Sequence, residues 1–210
     1  MASGSWYTSF AELSKSEREG VSYRRIVKRR RSEFAIIAPH GGGIEPGTSE
    51  LARSIAGLAF SYYAFDGLRK EGNELLHITS TLFDEPECLK LVKKSQIVIA
   101  IHGCAGDEKI IFVGGLHHNL KTRLIEALQK AGFDARLADG GYAGLQTENI
   151  CNGGQSGCGV QLEITEGLRR SMFKGLRRPD RKVTTDAFKK FVVVMHKILS
   201  SFVNVSLQGG

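Results

Sequence analysis

The chain has 210 residues, enough to bury a sizeable core without disulfides or a structural metal. Hydrophobic residues make up 41% and charged residues 24%, a globular mixture that excludes a disordered or fibrous chain, and no apolar run approaches the roughly 20 residues that span a bilayer. The net charge of +7 is concentrated in two tracts: residues 24–31 hold six bases and no acid, residues 169–182 hold seven bases and Asp180, and the remainder, 16 bases against 21 acids, is net −5.

Residues 1–20 read as a polar arm with a short helical turn. They lack the basic start and apolar stretch of a secretory signal, so none is expected. Residues 34–39 (FAIIAP) predict a strand, and 48–60 a helix with Thr48 or Ser49 as its N-cap. A short strand follows at 75–80 (LLHITS), then a helix at 85–94 with Pro86 in its first turn. Strands are expected at 96–101 and 110–114. Residues 119–131 form an amphipathic pattern through Leu120, Leu124, Ile125 and Leu128, ended by Gly132. Strands at 133–137 and 160–164 and a long helix at 185–202 complete the chain. Strands that are apolar throughout are buried on both faces. Alternating with helices, they imply a single-domain α/β fold: one mixed, mainly parallel sheet with helices on both faces. Ligands in such folds sit at the carboxyl ends of the strands.

Three of those strands end in polar residues. FAIIAP runs into His40, QIVIAI into His102, and VQLEIT carries Glu163 near its end. Glu45 follows His40 across three glycines, which accept backbone conformations closed to other residues and can fold Glu45 back toward His40. If the three strands are neighbours, two imidazoles and two carboxylates share one cleft. His40, His102 and Glu45 form a catalytic zinc ligand set with a fourth position for water, and Glu163 is left as general base. Taken singly, a histidine after a strand is as readily a satisfied core or loop residue. A glutamate within an apolar strand needs a partner.

The other candidates are weaker. His77 reads as buried or as reaching the cleft, His117 and His118 as surface or capping residues, and His196 as structural. Cys104, two residues past His102, is a conceivable thiol nucleophile. The four cysteines fit reduced thiols, although Cys151 and Cys158 could pair in their loop. Asn149 and Asn152, in the polar Gly-rich segment 147–159, are candidate substrate contacts. Arg169 and Arg170 could grip a substrate carboxylate bidentately. No G-x-G-x-x-G or P-loop pattern supports nucleotide binding.

The segments HGGGIEPGTSE (40–50), LHITS (76–80), IHG (101–103), VGG (113–115) and GVQLE (159–163) together resemble the phage-type poly-γ-glutamate hydrolases. The resemblance runs from about residue 20 to about residue 205. It implies a carboxypeptidase-like α/β zinc peptidase that cleaves γ-glutamyl amide bonds of a capsule polymer. His40, Glu45 and His102 would be the zinc ligands and Glu163 the base. His77, Asn149, Asn152, Arg169 and Arg170 are expected to face substrate. It also implies a product made in a host cytoplasm and acting outside after lysis. The expected partner is a polyanionic polymer, not nucleic acid or membrane, and the chain is expected to act as a monomer. The cationic tracts suit a polymer with one free carboxylate per residue. Two other readings remain: a zinc N-acyl amino acid deacylase or cell-wall amidase, and a basic nucleic-acid-binding protein, for which no recognition motif is present.

Overall fold

The computed structural model describes residues 7–206, with side chains through residue 202. Seven strands form one mixed sheet: β1 (Tyr23–Lys28), β2 (Phe34–Gly42), β3 (Ser61–Gly67), β4 (Ile97–Cys104), β5 (Ile110–Gly114), β6 (Asp134–Leu137) and β7 (Val160–Thr165). Their spatial order is β1-β3-β2-β4-β7-β5-β6. The central run β3-β2-β4-β7 is parallel, while β1 against β3 and β5 against β7 are antiparallel.

Alternation along the strands divides the apolar residues between two faces. Phe34, Ile36, Ile99, Ile101, Leu162 and Ile164 pack on one side. That side carries α2 (Thr48–Ala56), α4 (His118–Lys130), α5 (Glu166–Met172) and α6 (Asp186–Ser206), which contribute Leu51, Leu124, Met172 and Phe191. Ala35, Ile37, Val98 and Ala100 face the other side, covered by α1 (Phe10–Ser16), α3 (Pro86–Val92) and the segment holding Leu76, Ile78 and Phe83. No helix among the described residues is long and apolar enough to cross a membrane.

Several sequence expectations change. The segment expected as a polar arm docks instead: Leu13 of α1 is fully buried and Phe10 packs edge-on against Tyr23 and Phe65. Residues 1–6 of that arm lie outside the described residues. Residues 75–80 are not a strand. A 3-10 turn at Asn73–Leu76 leads into irregular chain whose carbonyls serve other segments: Ile78 bonds His40, and Ser80 accepts from the Ile150 N–H. Gly47, at φ +103°, occupies the N-cap of α2 in place of Thr48 or Ser49. The Thr48 hydroxyl donates to the Glu45 carbonyl, and the Ser49 hydroxyl donates to the buried Asp66. Strands β1 and β3 and helix α5 have no counterpart in the expected elements.

Candidate metal centre

Strands β2, β4 and β7 are consecutive, so their carboxyl ends collect His40, His102 and Glu163. The register pairs His102 with Glu163 across β4 and β7. Simple alternation would send His40 to the face of Ile36 and Ala38, away from His102. A β-bulge prevents this: β2 pairs Ala38 with Ala64 and Gly41 with Asp66, so β2 spends one residue more than β3 over that stretch. The extra residue reverses the alternation and re-aims the imidazole.

The two rings then meet. Their Nδ1 atoms are 3.1 Å apart, and both residues are only 1% exposed. The His40 Nε2 lies 2.7 Å from the Ile78 carbonyl, which can only accept, so Nε2 carries the proton and Nδ1 presents a lone pair. The His102 Nε2 lies 3.4 Å from the Ser80 hydroxyl, an available acceptor for its proton. Glu45 folds back through a turn closed by its own N–H on the His40 carbonyl at 2.9 Å. Gly42 sits at φ +67° in this turn, where a Cβ would meet the Gly67 carbonyl oxygen at 2.5 Å. The Glu45 carboxylate ends 3.1 Å from His40 Nδ1 and 3.7 Å from His102 Nδ1, and accepts the Gly103 N–H at 2.8 Å.

These separations test whether the residues suit a zinc ion. Ligand atoms about 2.0–2.1 Å from a tetrahedral zinc lie roughly 3.3–3.4 Å from one another. The Nδ1–Nδ1 separation of 3.1 Å and the carboxylate separations of 3.1 Å (Oε1 to His40) and 3.7 Å (Oε2 to His102) lie close to that value. Histidine ligands generally donate the second ring N–H to a carbonyl or similar acceptor, as His40 does to Ile78. The residues fit the group.

His77 is a fourth participant. It stacks on His40 with ring centroids 3.9 Å apart, and its Nε2 lies 3.9 Å from Glu45 Oε1. His40, Glu45 and His77 also offer ligand atoms within 4.8 Å of one another. Two histidines, His77 and His102, are thus available as the second imidazole.

Electrostatics separate the two carboxylates. Burial penalises the charge of Glu45, but His40 and His102 outweigh it and hold Glu45 far below the usual range. Burial pushes Glu163 up to about 7, with His102 opposing and the Glu45 charge reinforcing the rise. No hydrogen bond to the Glu163 carboxylate is found among the described residues. Burial and the neighbouring His40 lower His77 to about 3, so it is neutral at neutral pH. Burial would also lower His102, but its hydrogen bond to Glu45 and the Glu163 charge raise it overall. Burial, reinforced by Glu163, pushes the Cys104 thiol up to about 11, so it is not a ready nucleophile.

The remaining site expectations divide. Arg169 is 4% exposed and donates to the carbonyls of Ile164, Pro46 and Cys104 at 2.8–2.9 Å. It also lines a cavity of about 300 Å³ with Glu45, Gly103 and Cys104. Arg170 faces solvent and is paired with Glu166 and Asp107. Asn149 and Asn152, expected to face substrate, are buried, and their amides bond the loop itself. The Asn152 amide donates to the Gly144 and Gln146 carbonyls, and its oxygen accepts from the Leu116 and Gly159 N–H groups. Asn149 bonds Gln161 and the Cys151 N–H. His117 caps α4 through Leu120, and all four cysteines are free. Sequence reasoning missed Ser80 and the Ile78 carbonyl, for which the pattern carries no signal. It also missed the role of Gly103, where a Cβ would meet the Arg169 guanidinium at 2.6 Å.

Comparison with known proteins bears on this site. The family described as poly-gamma-glutamate hydrolase matches residues 7–194. The UPF0714 protein YndL of Bacillus subtilis (strain 168) is 40% identical over 198 residues, 93% of this chain and 78% of YndL. A solved bacteriophage poly-gamma-glutamate hydrolase superposes with a TM-score of 0.93 at 33% identity, covering 96% of this chain and 99% of that one. A zinc-free YndL structure gives 0.89 at 39% identity, covering 93% and 98%. With the match spanning nearly the whole described chain, the protein belongs to the poly-gamma-glutamate hydrolase family.

Proposed function

We propose that the protein is a zinc-dependent hydrolase that cleaves γ-glutamyl amide bonds of poly-γ-glutamate. The observation that carries the reading is the convergence of two imidazole Nδ1 atoms and the Glu45 carboxylate within 3.1–3.7 Å, at strand ends beside Glu163. A solved relative described as zinc-free supports the choice of metal. His40, Glu45 and one of His102 or His77 would hold the ion. When bound, it supplies a Lewis acid that polarises the scissile carbonyl and acidifies water.

The protein's own groups do the rest. Glu163, which burial pushes up to about 7 in the metal-free chain, is the group placed to accept a proton from the attacking water and deliver it to the leaving nitrogen. A carboxylate in the ordinary range would be too weak a base to take up that proton efficiently at neutral pH. Arg169 has three bonds to carbonyls and keeps two of its five N–H donors for the cavity beside Glu45. Those donors orient a substrate carboxylate or carbonyl there. Gly103 leaves room for the guanidinium. Leu176, which leads into the Arg-rich 177–181 segment, lines this cavity, and cations so close to it suit a long anionic chain better than a single small acyl amino acid.

The test is polymer chain length by size-exclusion chromatography after incubation of poly-γ-glutamate with the protein alone, with a chelator, and with zinc restored. Shortening that stops with chelator and returns with zinc is expected. Unchanged chain length in the zinc-loaded sample rejects the reading.

A further inference from the structure

Beside the metal centre lies a second cavity of about 370 Å³ that the chemistry above does not use. Five cations from two distant segments line it: Arg69 and Lys70 after β3, and Arg177, Arg178 and Arg181 after α5. No acidic side chain lines it. Three of the five are compensated from outside, Arg69 by Glu17, Arg177 by Asp180 and Arg181 by Glu50. Among the described residues Lys70 and Arg178 make no ion pair, and the Arg178 guanidinium donates to the Gly67 carbonyl at 3.2 Å. The cavity is therefore net cationic by two charges.

Its position matters as much as its charge. Gly43 and Pro46, on its wall, belong to the loop that carries Glu45. Pro46 and Leu176 also line the cavity that holds Glu45 and Arg169. The two spaces thus share a wall, and a chain leaving the metal centre over Pro46 enters the cationic one. Resting on the function proposed above, we infer that this cavity is a carboxylate subsite. It holds free α-carboxylates of the polymer several residues from the bond being cut. A γ-linked polymer leaves one carboxylate per residue free, so adjacent residues can engage Lys70 and the Arg177–Arg178 pair together. Guanidinium groups favour such planar anions because they bond them bidentately. Linked carboxylates bind far better than separate ones, since each contact after the first is intramolecular.

The test measures binding, so that it does not depend on turnover. Fluorescently labelled poly-γ-glutamate is titrated with full-length protein carrying Glu163→Gln, with and without zinc, and polarisation is read. The double change Lys70→Glu and Arg178→Glu in that background is expected to weaken binding at least about tenfold and to flatten its salt dependence. A charge-matched control, Lys130→Glu with Arg136→Glu, is expected to bind within about twofold of the parent. Both residues are exposed, on α4 and on edge strand β6, and thermal melting checks that each variant folds. Free L-glutamate at matched carboxylate concentration is expected not to displace the polymer. The inference is overturned if the Lys70/Arg178 variant binds like the parent, if the control weakens binding equally, if monomeric glutamate competes as well as polymer, or if the parent does not bind. A cationic cavity that binds polymer while the zinc-loaded wild type cuts nothing would reject the proposed reaction and leave the subsite standing.

Discussion

Glu163 lies in β7 on the face it shares with Gln161 and Thr165, opposite the core residues Val160, Leu162 and Ile164, and burial raises its pKa from 4.5 to about 7. The folded chain therefore keeps a proton that the unfolded chain releases over that interval. This group's contribution to stability is largest below pH 4.5 and declines as pH rises to about 7. Metal-free wild type is expected to lose melting temperature relative to Glu163→Gln over that window. Parallel curves would show that the carboxyl is not perturbed. In the zinc-loaded protein Glu163→Gln is expected to retain its metal but cleave polymer about 10²–10⁴-fold more slowly, as read by kcat and metal content. Cys104 gives an independent check. With its thiol held near 11, it is expected to resist iodoacetamide at pH 7 in the native protein and to react fully once unfolded, by mass spectrometry. The convergence of His40, Glu45, His102 and Glu163 was readable from His40 and His102 following apolar runs, from the glycines that let Glu45 turn back, and from a carboxylate inside a short strand. The burial of Asn149 and Asn152 was not legible, because a polar, Gly-rich segment reads as a surface loop. Their amides are instead consumed by backbone groups that the chain turns inward.

The strands that sequence patterning missed were hidden for different reasons. In β1, YRRIVK, three of six residues are charged, yet an edge strand tolerates charge and uses it to discourage pairing with other chains. Half of the six bases of the 24–31 tract are neutralised within the fold: Arg24 by Asp66 at 2.8 Å, Arg25 by Glu19 and Glu85, Arg29 by Glu87. The tract that looked like a polymer surface is in good part a seam holding β1 to β3 and α3. Glu85 is fully buried, and it also caps α3 through the Glu87 and Cys88 N–H groups. Arg25→Met removes its charged partner and is expected to destabilise the protein by about 2 kcal/mol in urea. That is less than the roughly 3–5 kcal/mol of a fully buried pair, because Arg25 is itself partly exposed and Glu85 retains its amide donors. In β3, SYYAFDG mixes aromatic and small residues without alternation, since both of its faces are buried. Helix α6 was legible because its apolar spacing is long and regular. Phe191→Ala, at a fully buried position of that helix, is expected to cost about 3–5 kcal/mol.

The architecture as a whole followed from counting apolar strands between amphipathic helices, but the strand order did not. Only long-range pairing decides that β4 lies between β2 and β7, and no local pattern encodes it. That order makes metal binding a property of the folded state. Zinc is expected to raise the melting temperature, with a stabilisation of about 2.7 kcal/mol when free zinc is 100-fold above its Kd. His40→Ala is expected to abolish the shift. An equal shift in the variant would place the ion elsewhere. Arg169 carries a further consequence of this long-range assembly. Its guanidinium joins the Pro46 carbonyl, 123 positions earlier, to the ends of β4 and β7. During synthesis, then, β2 and β4 bring both imidazoles and Glu45 into being well before their brace exists. Closure of such distant contacts is slow in folding. A ribosome-bound chain stopped short of residue 169 would hold the donor set unbraced, so maturation of the centre is tied to emergence of the segment that carries Arg169.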